Sequence, residues 1–203
     1  MRTAFFGGTF DPLHTGHICL ARKVLDAGAA EKILFVPAPS PPHKDDTLIT
    51  PYKYRLEMLQ LALNGEDGFE VSDIEQHRCG KSYTIDTLHE LSAMQCYGEI
   101  FLLIGGDSLR NLHTWRQAHE LVSEFGLIIY PRREEEIREK ELAQHWNQEE
   151  IRKILASLLP DAPEFPCSST QIRKMIQKEG IKSVSAFVRS PVAEYITARK
   201  LYL

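Results

Sequence analysis

Between Ile100 and Ile104 the chain reads Ile-Phe-Leu-Leu-Ile with no polar residue, then breaks into Gly105-Gly106-Asp107. A short apolar run closed by glycines suits a strand buried on both faces of a parallel sheet. That requirement constrains the rest of the chain, because parallel strands need crossover connections, usually helical. The expected partners are Thr3-Ala4-Phe5-Phe6, the β-rich run Lys32–Val36 closed by Pro37, the alternating segment Phe69–Ile74 and a second apolar run, Leu127–Tyr130. Helical patterns lie between them. Ile18–Leu25 is one, and Pro51 opens another, with Tyr52, Leu56, Leu59 and Leu63 as its apolar stripe and Asn64-Gly65 as its stop. Ile85–Met94 is a third, with Ser82 or Thr84 expected as its cap, and the stretch from Leu109 to Val122 is a fourth.

Strands alternating with helices predict an α/β chain with a Rossmann-like, doubly wound parallel sheet. Helices opened by Ser168 and by Pro191 make a small helical C-terminal part, about residues 167–203, within one domain covering 1–203. From Glu134 to Leu159 the pattern is helical and charged, with Glu134–Arg138, Glu136–Lys140 and Glu149–Lys153 at i, i+4 and Asn147 as a break. This is expected to be solvated surface without chemistry. The 203 residues, 43% hydrophobic, suffice for one core. No apolar run is long enough to cross a membrane and no signal peptide is visible, so the expected location is the cytoplasm. A formal charge of −4 argues against a nucleic-acid partner but not against small anions. Cys19, Cys79, Cys96 and Cys167 have no C-x-x-C spacing and read as free thiols.

Ligands of such sheets bind beyond the carboxyl ends of the strands. The polar loops that would gather there are Gly7–His17, Pro39–Lys44, Gly105–Asp107 and Pro131–Arg133. The first is the most specific: Gly-Gly-Thr-Phe-Asp-Pro-Leu-His-Thr-Gly-His, lying between a strand and a helix. Glycines permit close backbone approach, and the first N–H groups of the helix point at an anion. His14 and His17 can face the same ligand, which makes a nucleotide triphosphate the expected occupant. The loop is neither the G-x-G-x-x-G fingerprint nor a Walker loop. A zinc pair is the alternative for the histidines, but no third and fourth ligand lie at useful spacing.

Gly7–His17 resembles the T/HxGH motif of the nucleotidylyltransferase superfamily, and Ser168-Ser169-Thr170-Gln171-Ile172-Arg173 resembles its SSTxIR motif. Pro41-Pro42-His43-Lys44, Ser82-Tyr83-Thr84 and Gly106-Asp107-Ser108-Leu109 through Trp115 resemble the bacterial nicotinate-nucleotide adenylyltransferases. The resemblance implies transfer of the adenylyl group of ATP to nicotinate mononucleotide, giving deamido-NAD and pyrophosphate. It also implies Mg²⁺ as cofactor, held mainly by ATP phosphates and water, with no protein metal ligands. His14, His17, Lys44 and Arg173 are the implied catalytic residues. ATP would meet Gly7, Gly8, Thr9, Phe10, His14, His17, Gly105, Asp107, Ser168, Ser169, Thr170 and Arg173. The mononucleotide would meet Thr9, His43, Lys44, Ser82, Tyr83, Thr84, Asp107, Leu109, Trp115 and Arg132.

Each of these residues also has a plainer reading. Ser169-Thr170 could simply cap a helix, Asp107 could cap the next one, and Trp115 could anchor an amphipathic helix. Pro131-Arg132-Arg133-Glu134 stands where the family often carries Arg-Pro-Gly-Tyr and matches only at Arg132. A phosphopantetheine adenylyltransferase shares both phosphate motifs and is the rival enzyme; a non-catalytic nucleotide- or RNA-binding module is the rival of another class. The expected partners are small molecules, with a homo-oligomer left open.

Overall fold

The computed structural model describes residues 1–39, 49–78, 80–131, 137–160 and 165–202. Five strands form one all-parallel sheet: β1 (Arg2–Gly8), β2 (Lys32–Pro37), β3 (Phe69–Val71), β4 (Glu99–Gly105) and β5 (Gly126–Tyr130), in the order β3-β2-β1-β4-β5. The order reverses between β1 and β4, which places a crevice beyond their carboxyl ends, at Gly8 and Gly105.

Strand periodicity divides the core into two layers. Ala4, Phe6, Ile33, Phe35, Leu103 and Ile128 face one layer with helices α1 (Thr15–Asp26) and α2 (Tyr52–Leu63). Phe5, Leu34, Val36, Leu102, Ile104, Leu127 and Ile129 face the other, with α3 (Thr84–Ala93), α4 (Gly106–Leu112) and α5 (Ala118–Glu124). Short α6 (Glu139–Leu142) and α7 (Gln148–Ala156) follow β5. Helices α8 (Ser169–Glu179) and α9 (Ser190–Arg199) then return to the first layer through Ile172, Ile176, Val192 and Ile196.

Several local expectations need correction. The strand expected over Phe69–Ile74 ends at Val71, because the Ser72 hydroxyl accepts the Ile74 N–H (3.3 Å) and turns the chain out of the ladder. The helix expected from Leu109 to Val122 is two helices. The first stops at Leu112, Thr114 folds its hydroxyl onto the Asn111 carbonyl (2.7 Å), and Gln117 is left-handed (φ 52°). Trp115 therefore sits in a turn, not on an amphipathic helix. The cap of α3 is Tyr83, rather than Ser82 or Thr84, and it makes no side-chain cap bond.

Helix α2 buries Arg55, Met58, Leu59, Ala62 and Leu63, so its inner face carries a charge that the expected apolar stripe omits. Pro51 precedes that helix as its cap instead of opening it. Asn147 does break the charged stretch, as the cap of α7, accepting from the Glu149 and Glu150 N–H groups. Lys153, expected to pair with Glu149, donates to the Ser123 carbonyl at 2.9 Å. Glu134 and Glu136 lie outside the described residues.

Candidate active site

Beyond β1 the loop from Thr9 to His14 is held by contacts from distant segments. Phe10 adopts a left-handed backbone (φ 47°) unusual for a non-glycine residue, and its ring is buried against Phe6, Phe35 and His17. Gly8 makes this possible: a Cβ there would lie 2.9 Å from Phe10 Cζ. Phe10 thus offers a ligand its backbone alone. The Asp11–Pro12 peptide is cis.

Arg55, 1% exposed, reaches under the loop from α2. Its Nη1 donates to the Thr9 carbonyl (2.7 Å), Nε to Thr50 (2.8 Å) and Nη2 to Pro39 (3.1 Å). Burial lowers its pKa, and the Asp11 carboxylate opposes that shift. A buried guanidinium with three carbonyl partners fixes the geometry of the segments that carry them.

His14 is the cap of α1 and His17 lies in its first turn. The ring centroids are 3.8 Å apart, and the His14 N–H points at His17 Nδ1 (3.3 Å). Nδ1 is therefore the acceptor, which leaves the proton of a neutral His17 on Nε2. Burial, and then the neighbouring His14, holds the pKa of His17 well below its ordinary value, so the ring is neutral at pH 7. Such a ring can act as a hydrogen-bond donor but not as a fixed charge.

The second motif meets the first. Ser168 caps α8, accepting from the Gln171 N–H (3.3 Å), while the Gln171 side chain accepts from the Ser168 N–H (2.7 Å). Capping is thus done by Ser168 and not by Ser169 or Thr170. Ser169 Oγ donates to the Pro12 carbonyl (3.0 Å), and Arg173 Nη1 donates to the Asp11 carbonyl (2.7 Å). Arg173, implied as a catalytic and ATP-binding residue, is engaged with the loop; its Nη2 also reaches Thr170 Oγ1 (3.4 Å).

Phe165, just before the helix, stacks on His14 with ring centroids 4.7 Å apart and planes at 6°. Gly16 supplies the space, since a Cβ there would lie 2.3 Å from Phe165 Cγ. Two helix N-termini, α1 and α8, thereby converge with their partial positive charge on one edge of the sheet.

Across the crevice, α4 starts directly from β4. Gly105 is its cap, and Asp107 lies exposed in the first turn instead of capping. Leu109 is 2% exposed and packs in the second core layer. Trp115 is partly buried against the second layer. Beside it, the Arg116 guanidinium lies 4.6 Å over the Tyr83 ring and 3.7 Å from Asp86, which joins the α4–α5 turn to the start of α3. Ser82 Oγ is buried there with no hydrogen-bond partner among the described residues. His43, Lys44 and Arg132, and with them the Pro41–Lys44 motif and most of the departure after β5, lie outside the described residues.

Sequence reasoning missed Arg55, Phe165 and the part played by Asp11. For Arg55 a signal existed: it lies three residues after Tyr52 and four before Leu59, squarely on the stripe. Phe165 had no comparable signal.

Residues 5–175 match the model of the cytidylyltransferase-like family. A protein of Caldicellulosiruptor bescii named "probable nicotinate-nucleotide adenylyltransferase" is 34% identical over 207 residues, covering 100% of this chain and 99% of its own. One of the same name from Geobacter metallireducens is 35% identical over 215 residues, covering 100% and 98%. The chain belongs to the nicotinate-nucleotide adenylyltransferase family, within the cytidylyltransferase-like proteins. The fold agrees. The nicotinic acid mononucleotide adenylyltransferase of Plasmodium falciparum, solved with NaAD, superposes with a TM-score of 0.79 at 21% identity over 99% of this chain and 97% of that one. Among nicotinate-nucleotide adenylyltransferases, then, this chain has both motifs in order and in contact.

Proposed function

We propose that this protein transfers the adenylyl group of ATP to nicotinate mononucleotide, releasing pyrophosphate and forming deamido-NAD. The observation that carries the reading is the union of the two motifs. Ser169 and Arg173 at the start of α8 are bonded to Pro12 and Asp11 of the loop that leads into His14 and His17. One edge of the sheet thus holds two helix N-termini and a histidine pair, donors suited to a triphosphate. The relatives' names support the identity of both substrates.

The chemistry needs no protein nucleophile. A phosphate oxygen of the mononucleotide attacks the α-phosphorus in line, and the bond from that phosphorus to the bridging oxygen of pyrophosphate breaks. The protein positions the two anions and offsets the charge that develops. His17 Nε2–H donates to a phosphate oxygen, and His14, held between His17 and Phe165, presents its ring to the same charge.

Mg²⁺ fits this site as a passenger on the nucleotide. Asp11, the carboxylate inside the loop, is 2% exposed and already accepts from Tyr202 and Thr50. The metal would be carried by phosphate oxygens and water, where it supplies charge neutralisation. The described triad of possible metal ligands, His89, Glu120 and Glu124, lies on α3 and α5, away from the loop.

For the pyridine end we assign Ser82–Thr84 and Trp115. A carboxylate can accept from the unpartnered Ser82 hydroxyl and from the first-turn N–H groups of α3, while Trp115 offers a ring to stack on. A substrate panel followed by pyrophosphate release tests the reading: the wild type should turn over ATP with nicotinate mononucleotide, and turnover only with phosphopantetheine would refute it. His17→Ala should lower kcat by about 10²–10³-fold, as loss of a preorganised donor does.

A further inference from the structure

Asp11 is the residue of the loop with the most distant partners. Its carboxylate, 2% exposed, accepts from the Tyr202 hydroxyl at Oδ1 (2.6 Å) and from the Thr50 N–H at Oδ2 (3.2 Å). Arg173 Nη1 lies 3.8 Å from Oδ2 while donating to the Asp11 carbonyl. Segments 39, 162 and 191 residues away in sequence therefore meet on one side chain of the phosphate loop.

The route by which Tyr202 arrives is specific. Helix α9 ends with Lys200 left-handed (φ 53°), the Leu201 N–H returns to the Ile196 carbonyl (3.0 Å), and Tyr202 is itself left-handed (φ 61°). Two non-glycine residues in that region turn the chain back on itself. The turn drives the Tyr202 ring inward, its hydroxyl 4.0 Å from Met58 Sδ and bonded to Asp11. Burial, and then the facing Asp11 carboxylate, raises the Tyr202 pKa well above its ordinary value, so the hydroxyl keeps its proton and remains a donor.

The loop needs such a restraint. Phe10 is left-handed, a strained conformation for a non-glycine residue that persists only where its surroundings hold it. Arg55 fixes the backbone before Phe10 by holding the Thr9 carbonyl, and the Asp11 contacts fix the backbone after it. His14 follows three residues later. We propose that Tyr202 is a positioning residue for adenylyl transfer: its hydroxyl, acting through the Asp11 carboxylate, sets the phosphate loop and with it the His14–His17 pair. The proposal rests on the adenylyltransferase reading for its kinetic consequence alone. A neutral donor suits the task, because it anchors the carboxylate without adding a third cation beside Arg173 and Arg55.

The variant Tyr202→Phe keeps the ring and removes only the hydroxyl. On the full-length chain three quantities are measured together: kcat and KM for ATP with nicotinate mononucleotide, the thermal midpoint, and the imidazole ¹H–¹⁵N resonances of His14 and His17 without ligand. The expected result is a kcat lower by about tenfold with KM for ATP within about threefold, as for a contact that matters in the transition state. The histidine resonances should move while the thermal midpoint shifts by only a few degrees. A folded variant with wild-type kcat overturns the proposal, and so does a loss that merely tracks thermal unfolding. The histidine resonances need no substrate. If the wild type proved inactive on these substrates, unmoved resonances would still overturn the coupling of Tyr202 to the loop, and shifted ones would still support it.

Discussion

Replacing Gly16 with alanine separates positioning from stability at this site. The new Cβ would lie 2.3 Å from Phe165 Cγ, 2.5 Å from Cδ1 and 2.8 Å from Cβ, whereas carbon atoms pack at about 3.5–4.0 Å. The ring must retreat by at least ~1 Å, and it is the surface on which His14 stacks at 4.7 Å. A displacement of about 1 Å in a positioning group can cost ~10²-fold in rate, and that is the fall in kcat expected for Gly16→Ala. Stability should change little. Alanine gains up to about 1 kcal/mol over glycine within a helix, and a disturbed aromatic stack loses about 0.5–1.5 kcal/mol. The two nearly cancel, so the thermal midpoint should stay within ~4 °C at the usual sensitivity for a chain of this size. Pyrophosphate release under saturating substrates gives kcat, and a thermal melt gives the control. In a Phe165→Ala background, Gly16→Ala should add little, because the ring it displaces is gone. A Gly16→Ala enzyme within threefold of wild-type kcat would refute the reasoning, as would an equal loss in both backgrounds.

Two further perturbations bear on the frame around the site. Arg55→Leu strips three carbonyls of their partner and removes one of the two cations near Asp11, so it should cost about 3–5 kcal/mol, the usual figure for breaking a buried charge network. That corresponds to a fall of roughly 6–20 °C in thermal midpoint, and a melt within 2 °C of wild type would contradict it. His17 predicts a pH dependence. Its folded pKa is depressed, so the unfolded chain takes up a proton near pH 6.5 that the folded ring refuses, and stability is full above that pH and lost as the pH falls below it. His17→Asn should flatten the slope of unfolding free energy between about pH 5 and 6.5, and denaturant melts with identical slopes would count against the assignment.

Much of the architecture was legible because it is written in local periodicity. The run from Ile100 to Ile104 announces a strand buried on both faces, and the phosphate loop is contiguous from Gly7 to His17. The parallel sheet follows from those and their alternation with helices. What escaped depends on contacts between distant parts of the chain. Whether Arg173 faces solvent or the Asp11 carbonyl is decided by the contact of α8 with the loop after β1, 162 residues away. Tyr202 belongs to the site only because two left-handed residues turn the chain back after α9. Helical spacing around Trp115 predicts a helix there, but α4 stops at Leu112, where the Thr114 hydroxyl bonds the Asn111 carbonyl in competition with the helix. Arg55 was the one omission the sequence could have exposed, as a lone charge on an apolar stripe.

The central claim is that this fold joins ATP to the acid form of the pyridine mononucleotide. The measurement closest to it is kcat/KM for nicotinate mononucleotide against its amide counterpart, at fixed saturating ATP, with deamido-NAD or NAD quantified as product. A site that meets a carboxylate with the Ser82 hydroxyl and the N–H groups of α3 should favour the acid by at least ~10²-fold, since the amide leaves buried donors unpaired. Deamido-NAD formed with that preference supports the account. Equal efficiencies for acid and amide, or no pyrophosphate from the acid, would contradict it.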